Sequence, residues 1–168
     1  NIMLAKPLDQ DKLKRYTIPY LVQPKLNGDR CLAYIGENGN TILKSSQGNT
    51  ILSVPHIMED LQNCGIRNVV LDGELYCHGM PHQTIRSIVS RTVNFHPEFT
   101  KISYHVFDMK NARSQLVRFK TLLEMNELNN TDYVHKVLTI QCINISETVS
   151  SLGNFISAGY EGIIVRNP

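Results

Sequence analysis

The sequence predicts an α+β domain built on two largely antiparallel β-sheets with flanking helices. Short apolar runs of strand length recur from one end of the chain to the other. Several are joined by hairpin-type turns rather than by long crossovers. Helical patterns are interspersed among them instead of collected at one end. The 168 residues suffice for one domain with its own core, and 42% hydrophobic against 19% charged residues is the balance of a globular chain.

The elements follow in order. Residues 20–23 and 30–35 read as strands, and Asn38-Gly39 marks a hairpin turn into a strand over 41–44. Ser53, followed by Pro55, marks a helix start. Gly65 marks its stop, and Ile57 and Leu61 form its apolar face. Residues 68–75 form a strongly apolar strand that runs into Asp72-Gly73-Glu74. A helix after Pro81 turns Ile85, Ile88 and Val89 to the core, and residues 102–107 alternate as a strand. Leu116, Phe119, Leu122 and Leu123 place a helix over 116–128. A strand is expected over 137–143. Ser146 is expected to cap a last helix containing Val149, Leu152 and Ile156, Gly159 to end it, and residues 160–165 to form the final strand.

Composition narrows the function classes. No apolar run reaches the roughly 18 to 20 residues of a membrane span, and the N-terminal residues lack a basic segment followed by an apolar stretch, so no secretory leader is expected. A net charge of +2 suits a polyanionic partner without requiring one. The four cysteines form no C-x-x-C pair, which argues for reduced thiols in a cytoplasmic or nuclear compartment and against a zinc site. His78 and His82 have the spacing of a helical metal pair, but Gly79 and Pro81 between them oppose a helix there.

Four segments carry chemistry. In Gln23-Pro24-Lys25-Leu26-Asn27-Gly28-Asp29-Arg30 a lysine follows a strand, and a glycine allows a tight turn before an arginine opens the next strand. A lysine can serve as an amine nucleophile and an arginine as a fixed phosphate clamp. Asp72-Gly73-Glu74 sets two carboxylates at the end of a buried strand, where acids need a cation or hydrogen-bond donors. Phe107-Asp108 ends a strand with an aromatic ring able to stack on a base. Glu161-Gly162 precedes an apolar strand that ends in Arg166. Each segment alone also suits an ordinary turn, core aromatic or sheet edge.

Taken in this order, the four segments resemble the covalent nucleotidyltransferase superfamily, and within it the adenylation domain of ATP-dependent DNA ligases. The family pattern runs Lys-x-Asp-Gly-x-Arg, Asp-Gly-Glu, an aromatic with Asp, Glu-Gly and a late lysine pair. The match spans Gln23 to Arg166. The resemblance implies that Lys25 attacks the α-phosphorus of ATP, with magnesium or manganese as the divalent ion. Gln23 would contact the adenine amine, and Leu26 would join the nucleotide-contacting set. Arg30 would meet ribose or phosphate, and Glu74 the ribose or the metal. Phe107 would stack on one face of adenine, with Ile163 and its strand covering the other. Glu161 would be the leading metal ligand. The adenylate would then pass to a 5′-phosphate in nicked double-stranded DNA. By the same resemblance the chain, 1–168, is expected to be a monomeric fragment that lacks the late lysines and a following OB-fold domain.

Two positions depart from the pattern. Asn27 stands where the family has aspartate, which removes a negative charge beside the nucleophile. Ser46 stands where DNA ligases usually carry an arginine, with Lys44 as a substitute from the same strand. These departures keep two other readings open: an RNA ligase, and a binding module without covalent chemistry.

Overall fold

The computed structural model describes residues 6–168. Among these residues, eight strands form two sheets. The larger holds β2 (Asp29–Ile35), β3 (Thr41–Ser45), β4 (Val69–Tyr76), β5 (Ser103–Met109) and β6 (Val134–Lys136), in the order β3-β2-β4-β5-β6. All its pairings are antiparallel except the parallel one between β5 and β6. The smaller sheet places β1 (Tyr20–Pro24) between β7 (Ile140–Cys142) and β8 (Ile163–Arg166), both antiparallel to it.

Helices α2 (Pro55–Asn63), α3 (His82–Val89) and α4 (Gln115–Glu124) supply Ile57, Leu61, Ile85, Ile88 and Leu122 to a core shared with the large sheet. A separate cluster joins Tyr20, Val22 and Cys142 of the small sheet to Phe155 of α5 (Ile145–Ser157) and Leu13 of α1 (Gln10–Leu13). The two-sheet α+β architecture is therefore the one expected from the sequence.

Tyr104 shows how the large sheet is pinned. Its ring is fully buried, and its hydroxyl donates to the carbonyls of Cys31 and Leu71, each at 3.0 Å. The ring fits because Gly73 has no side chain: a Cβ there would lie 2.7 Å from Tyr104 Cε2 and 2.5 Å from His105 O. The register of β4 against β5 shifts at the same point, between Asp72 and Gly73.

Several expectations change. The single strand expected over 137–143 is two short strands in different sheets. The chain leaves the large sheet after Lys136, with Val137 N donating to Val106 O at 2.8 Å, and enters the small one at Ile140. The helix expected over 116–128 ends at Glu124, and a 3-10 turn over Asn126–Asn130 follows. Leu123 is exposed. Asn144, not Ser146, caps α5: its Oδ1 accepts from Glu147 N at 2.8 Å, while Glu147 Oε2 accepts from the N–H of the preceding Ile143 at 2.9 Å, an arrangement close to a capping box. That helix buries Thr148, Ser151 and Phe155 and leaves Val149 and Ile156 exposed. Ser53 does not cap α2; its hydroxyl donates to Val89 O at 2.7 Å and ties α2 to the end of α3. The final strand starts at Ile163, because the turn at Ala158-Gly159 and the bend at Glu161 come before it.

Candidate functional site

Arg30 pairs with Glu74 in register across β2 and β4, and strand alternation puts Asp72 on the same face. The Arg30 guanidinium grips Asp72 in a two-point contact, Nε to Oδ1 at 2.8 Å and the terminal nitrogen to Oδ2 at 2.6 Å. The loop carrying Lys25 is drawn down onto this face. A Cβ on Gly28 would stand 2.3 Å from Leu75 O, so only glycine permits the close approach. Lys25 N donates to Gly162 O at 2.9 Å, and the Lys25 ammonium meets the Glu161 carboxylate directly. The two ends of the motif series, 136 residues apart, thus form one site.

Glu74 is half-buried. Burial pushes its carboxyl up to about 7, with Asp29 and Asp72 adding to the rise, while Arg30 and the Gly28 N–H oppose it. Asp29 itself accepts from His82 Nε2 at 3.1 Å and faces Arg86 at 3.4 Å. His82 thus serves an ion-pair cluster. His78 lies elsewhere, hydrogen-bonded to the Tyr76 hydroxyl at 2.9 Å and packed against Tyr160.

Phe107 lines a cleft of about 1400 Å³ together with Gln23, Lys25, Leu26, Arg30, Ser46 and Glu74. Two guanidiniums lie over its ring, that of Arg30 at 4.9 Å from the centroid and that of Arg166 at 5.1 Å. Arg166 is anchored by Asp108, whose carboxylate also takes two bonds from Arg118 of α4, at 2.8 and 3.1 Å. Asp108 is 3% exposed, so this pairing is what makes its charge tolerable and what ties the large sheet to β8. Sequence reasoning did not foresee Arg118, Gln115 or Thr139 around the site. They sit in no motif, and only the fold brings them there.

Two site expectations are refined. Ile163 pairs with Pro24 and packs against the cluster under α5. Ile164 pairs with Gln23 and shares its face of the small sheet. The alternation of β8 therefore makes Ile164, not Ile163, the residue beside Gln23 and Arg166, although the cleft wraps both faces of this edge strand. Gln23 is 3% exposed, and its amide is already bonded inside the protein, to Phe107 O, Thr139 Oγ1 and Arg166 Nε. At the departures, Lys44 Nζ lies 5.7 Å over the Tyr34 ring, and Ser46 lines the cleft.

Among the described residues no three His, Cys, Asp or Glu side chains are grouped to hold a metal. No helix of the described chain is long and apolar enough to cross a membrane.

The chain is similar to known proteins throughout. It is 30% identical over 159 residues to the DNA ligase of African swine fever virus, strain Badajoz 1971 Vero-adapted, a match covering 88% of this chain and 36% of that protein. The chain thus spans about a third of the length of the curated relatives it matches. Its fold matches a structure from a structure–function study of Lig E DNA ligases with a TM-score of 0.78 at 20% identity, covering 99% of this chain and 61% of that one. The Chlorella virus DNA ligase-adenylate matches with a TM-score of 0.70 at 20% identity, over 98% and 60% of the two chains. The ATP-dependent DNA ligase of bacteriophage T7 in complex with ATP matches with 0.68 at 14% identity, over 89% and 57%. The family model for the ATP dependent DNA ligase domain matches residues 2–168, and the chain belongs to that family.

Proposed function

We propose that this chain is the nucleotide-binding core of an ATP-dependent DNA ligase, with Lys25 as the nucleophile. The observation that carries this reading is the direct contact of the Lys25 ammonium with the Glu161 carboxylate at the rim of a cleft walled by Phe107, Arg30 and Glu74. Lys25 Nζ forms a bond to the α-phosphorus of ATP as the bond from that phosphorus to the pyrophosphate oxygen breaks. Glu161 would take one proton from the Lys25 ammonium to expose the attacking lone pair, and the second would leave to solvent as the P–N bond forms. The loop anchored by Gly28 and by the Lys25 N–H holds the nucleophile in line. Glu74, half-buried and favouring its neutral form, suits a ribose hydroxyl. Phe107 supplies a stacking face for the base, which requires at least one of the two guanidiniums over it to move aside.

A magnesium ion, or manganese, fits this site in one way. Such an ion needs only one or two protein carboxylates when phosphates and water complete its shell, and Glu161, exposed and in contact with Lys25, is the carboxylate that would hold it. Once bound it would neutralise charge on the pyrophosphate. The adenylate would pass from Lys25 to a 5′-phosphate in nicked double-stranded DNA, and the adjoining 3′-hydroxyl would displace AMP.

Intact mass after incubation with magnesium and ATP tests the first step. A gain of one AMP that disappears in Lys25→Ala is the expected result. No adduct, with the cleft still binding ATP, would favour a module that holds nucleotide without transferring it. Nicked DNA and nicked RNA duplexes supplied to the adduct then separate DNA from RNA as acceptor.

A further inference from the structure

The amide of Gln23 is held in one orientation by partners that leave no choice. Arg166 Nε is a donor only, and it reaches Gln23 Oε1 at 2.8 Å. Phe107 O is an acceptor only, and it receives Gln23 Nε2 at 3.0 Å. Thr139 Oγ1 spends its single proton on Val137 O at 3.2 Å, so toward Gln23 Nε2, at 2.9 Å, it can only accept. Both amide protons are therefore committed inside the protein. Oε1 has two lone pairs, and among the described residues Arg166 alone donates to it.

We infer that Thr139, Arg166 and the Phe107 carbonyl clamp Gln23 so that it offers the cleft an acceptor and no donor, which makes this trio the selector of adenine over guanine. This rests on reading the cleft as the nucleotide site. The 6-amino group of adenine donates and meets the free lone pair of Oε1. The 6-oxo group of guanine accepts and meets that same lone pair, and no proton of the Gln23 amide can turn toward it. A site that leaves a buried polar group facing its own kind rejects the wrong ligand far more sharply than a loosely fitting apolar pocket does. Thr139 and Arg166 are positioning residues here: they act on the base through Gln23.

The test compares Thr139→Val, which keeps the shape and removes the acceptor, with Thr139→Ser, which keeps the acceptor. Equilibrium binding of ATP and of GTP is measured without divalent ions so that no transfer intervenes, and melting temperatures check folding. Thr139→Val is expected to narrow the ATP-to-GTP ratio about tenfold, the effect of roughly one hydrogen bond, by tightening GTP. Thr139→Ser is expected to keep the wild-type ratio. With magnesium added, the change in Thr139→Val belongs in KM and not in kcat for the adduct. Should Thr139→Val fail to fold, Thr139→Ala serves in its place. An unchanged ratio in a folded Thr139→Val or Thr139→Ala variant, while wild type still prefers ATP, overturns the clamp and leaves the ligase reading intact. Wild-type protein that binds neither nucleotide overturns the nucleotide site and the clamp with it.

Discussion

Arg118 and Arg166 converge on the single buried carboxylate of Asp108, at 2.8 Å and 3.2 Å, so that helix α4, the end of β5 and the edge strand β8 share one charge cluster. Removing one partner of such a group leaves the others buried and uncompensated. Asp108→Ala is expected to cost about 3 to 5 kcal/mol, read as a shift of the urea midpoint. Arg118→Ala, which leaves Arg166 in place, should cost less. A loss below 1 kcal/mol in Asp108→Ala would refute the role assigned to this cluster.

The Arg30–Asp72 pair is geometrically specific. Arg30→Lys keeps the charge but loses the two-point contact with Asp72. It is expected to lower stability by about 1 to 2 kcal/mol and to slow adduct formation at saturating ATP. Equal rates in Arg30→Lys and wild type would show that charge alone matters at this position.

Two half-buried groups give opposite pH slopes. Burial raises the Glu74 carboxyl to about 7, against an ordinary 4.5, so the folded protein binds the proton more tightly than the unfolded chain. Stability from this source is full below pH 4.5 and is lost as pH rises through 7. Wild type should therefore lose ground to Glu74→Gln across that window, by up to about 3 kcal/mol. Burial, together with His135 and His78, pulls His105 down to about 4, which favours its neutral form. Its contribution is full above pH 6.5 and is lost as pH falls through 4. Denaturant titrations of wild type, Glu74→Gln and His105→Gln at pH 4.5, 6 and 8 check both signs. A flat difference for Glu74→Gln would contradict its half-buried setting.

Gly28 is expected to accept no side chain. Gly28→Ala would set a methyl group 2.3 Å from Leu75 O and 2.8 Å from Glu74 Cγ. The loop must lift, at a cost of about 1 to 3 kcal/mol, and Lys25 lifts with it. Adduct formation should fall far more than the melting temperature does. The exposed neighbour Asn27 is different. Asn27→Asp should change stability by less than about 0.5 kcal/mol, while altering the rate of adduct formation through the charge it restores near Lys25. Intact-mass time courses on both variants check these outcomes.

Much of this molecule was determined by its sequence alone. The alternation in β2, β4 and β5, the turn at Asn38-Gly39 and the ordered series from Lys25 through Glu74 and Phe107 to Glu161 are local patterns, and local patterns survive without partners. What the sequence left open depends on pairing. Residues 137–143 read as one strand because each half is apolar, and only the neighbours β5 and β1 decide that the halves belong to different sheets. Ile163-Ile164-Val165 is apolar on both sides, so no alternation marks which residue shares a face with Gln23; the register of β8 against β1 makes it Ile164. The same holds for the Gln23 amide and the Asp108 cluster, whose partners lie 10 to 143 residues away and meet only when α4 packs on β5 and the two sheets close on each other. Hydrogen bonds and ion pairs act over a few ångströms of space, and nothing in the spacing of those residues along the chain records that closeness.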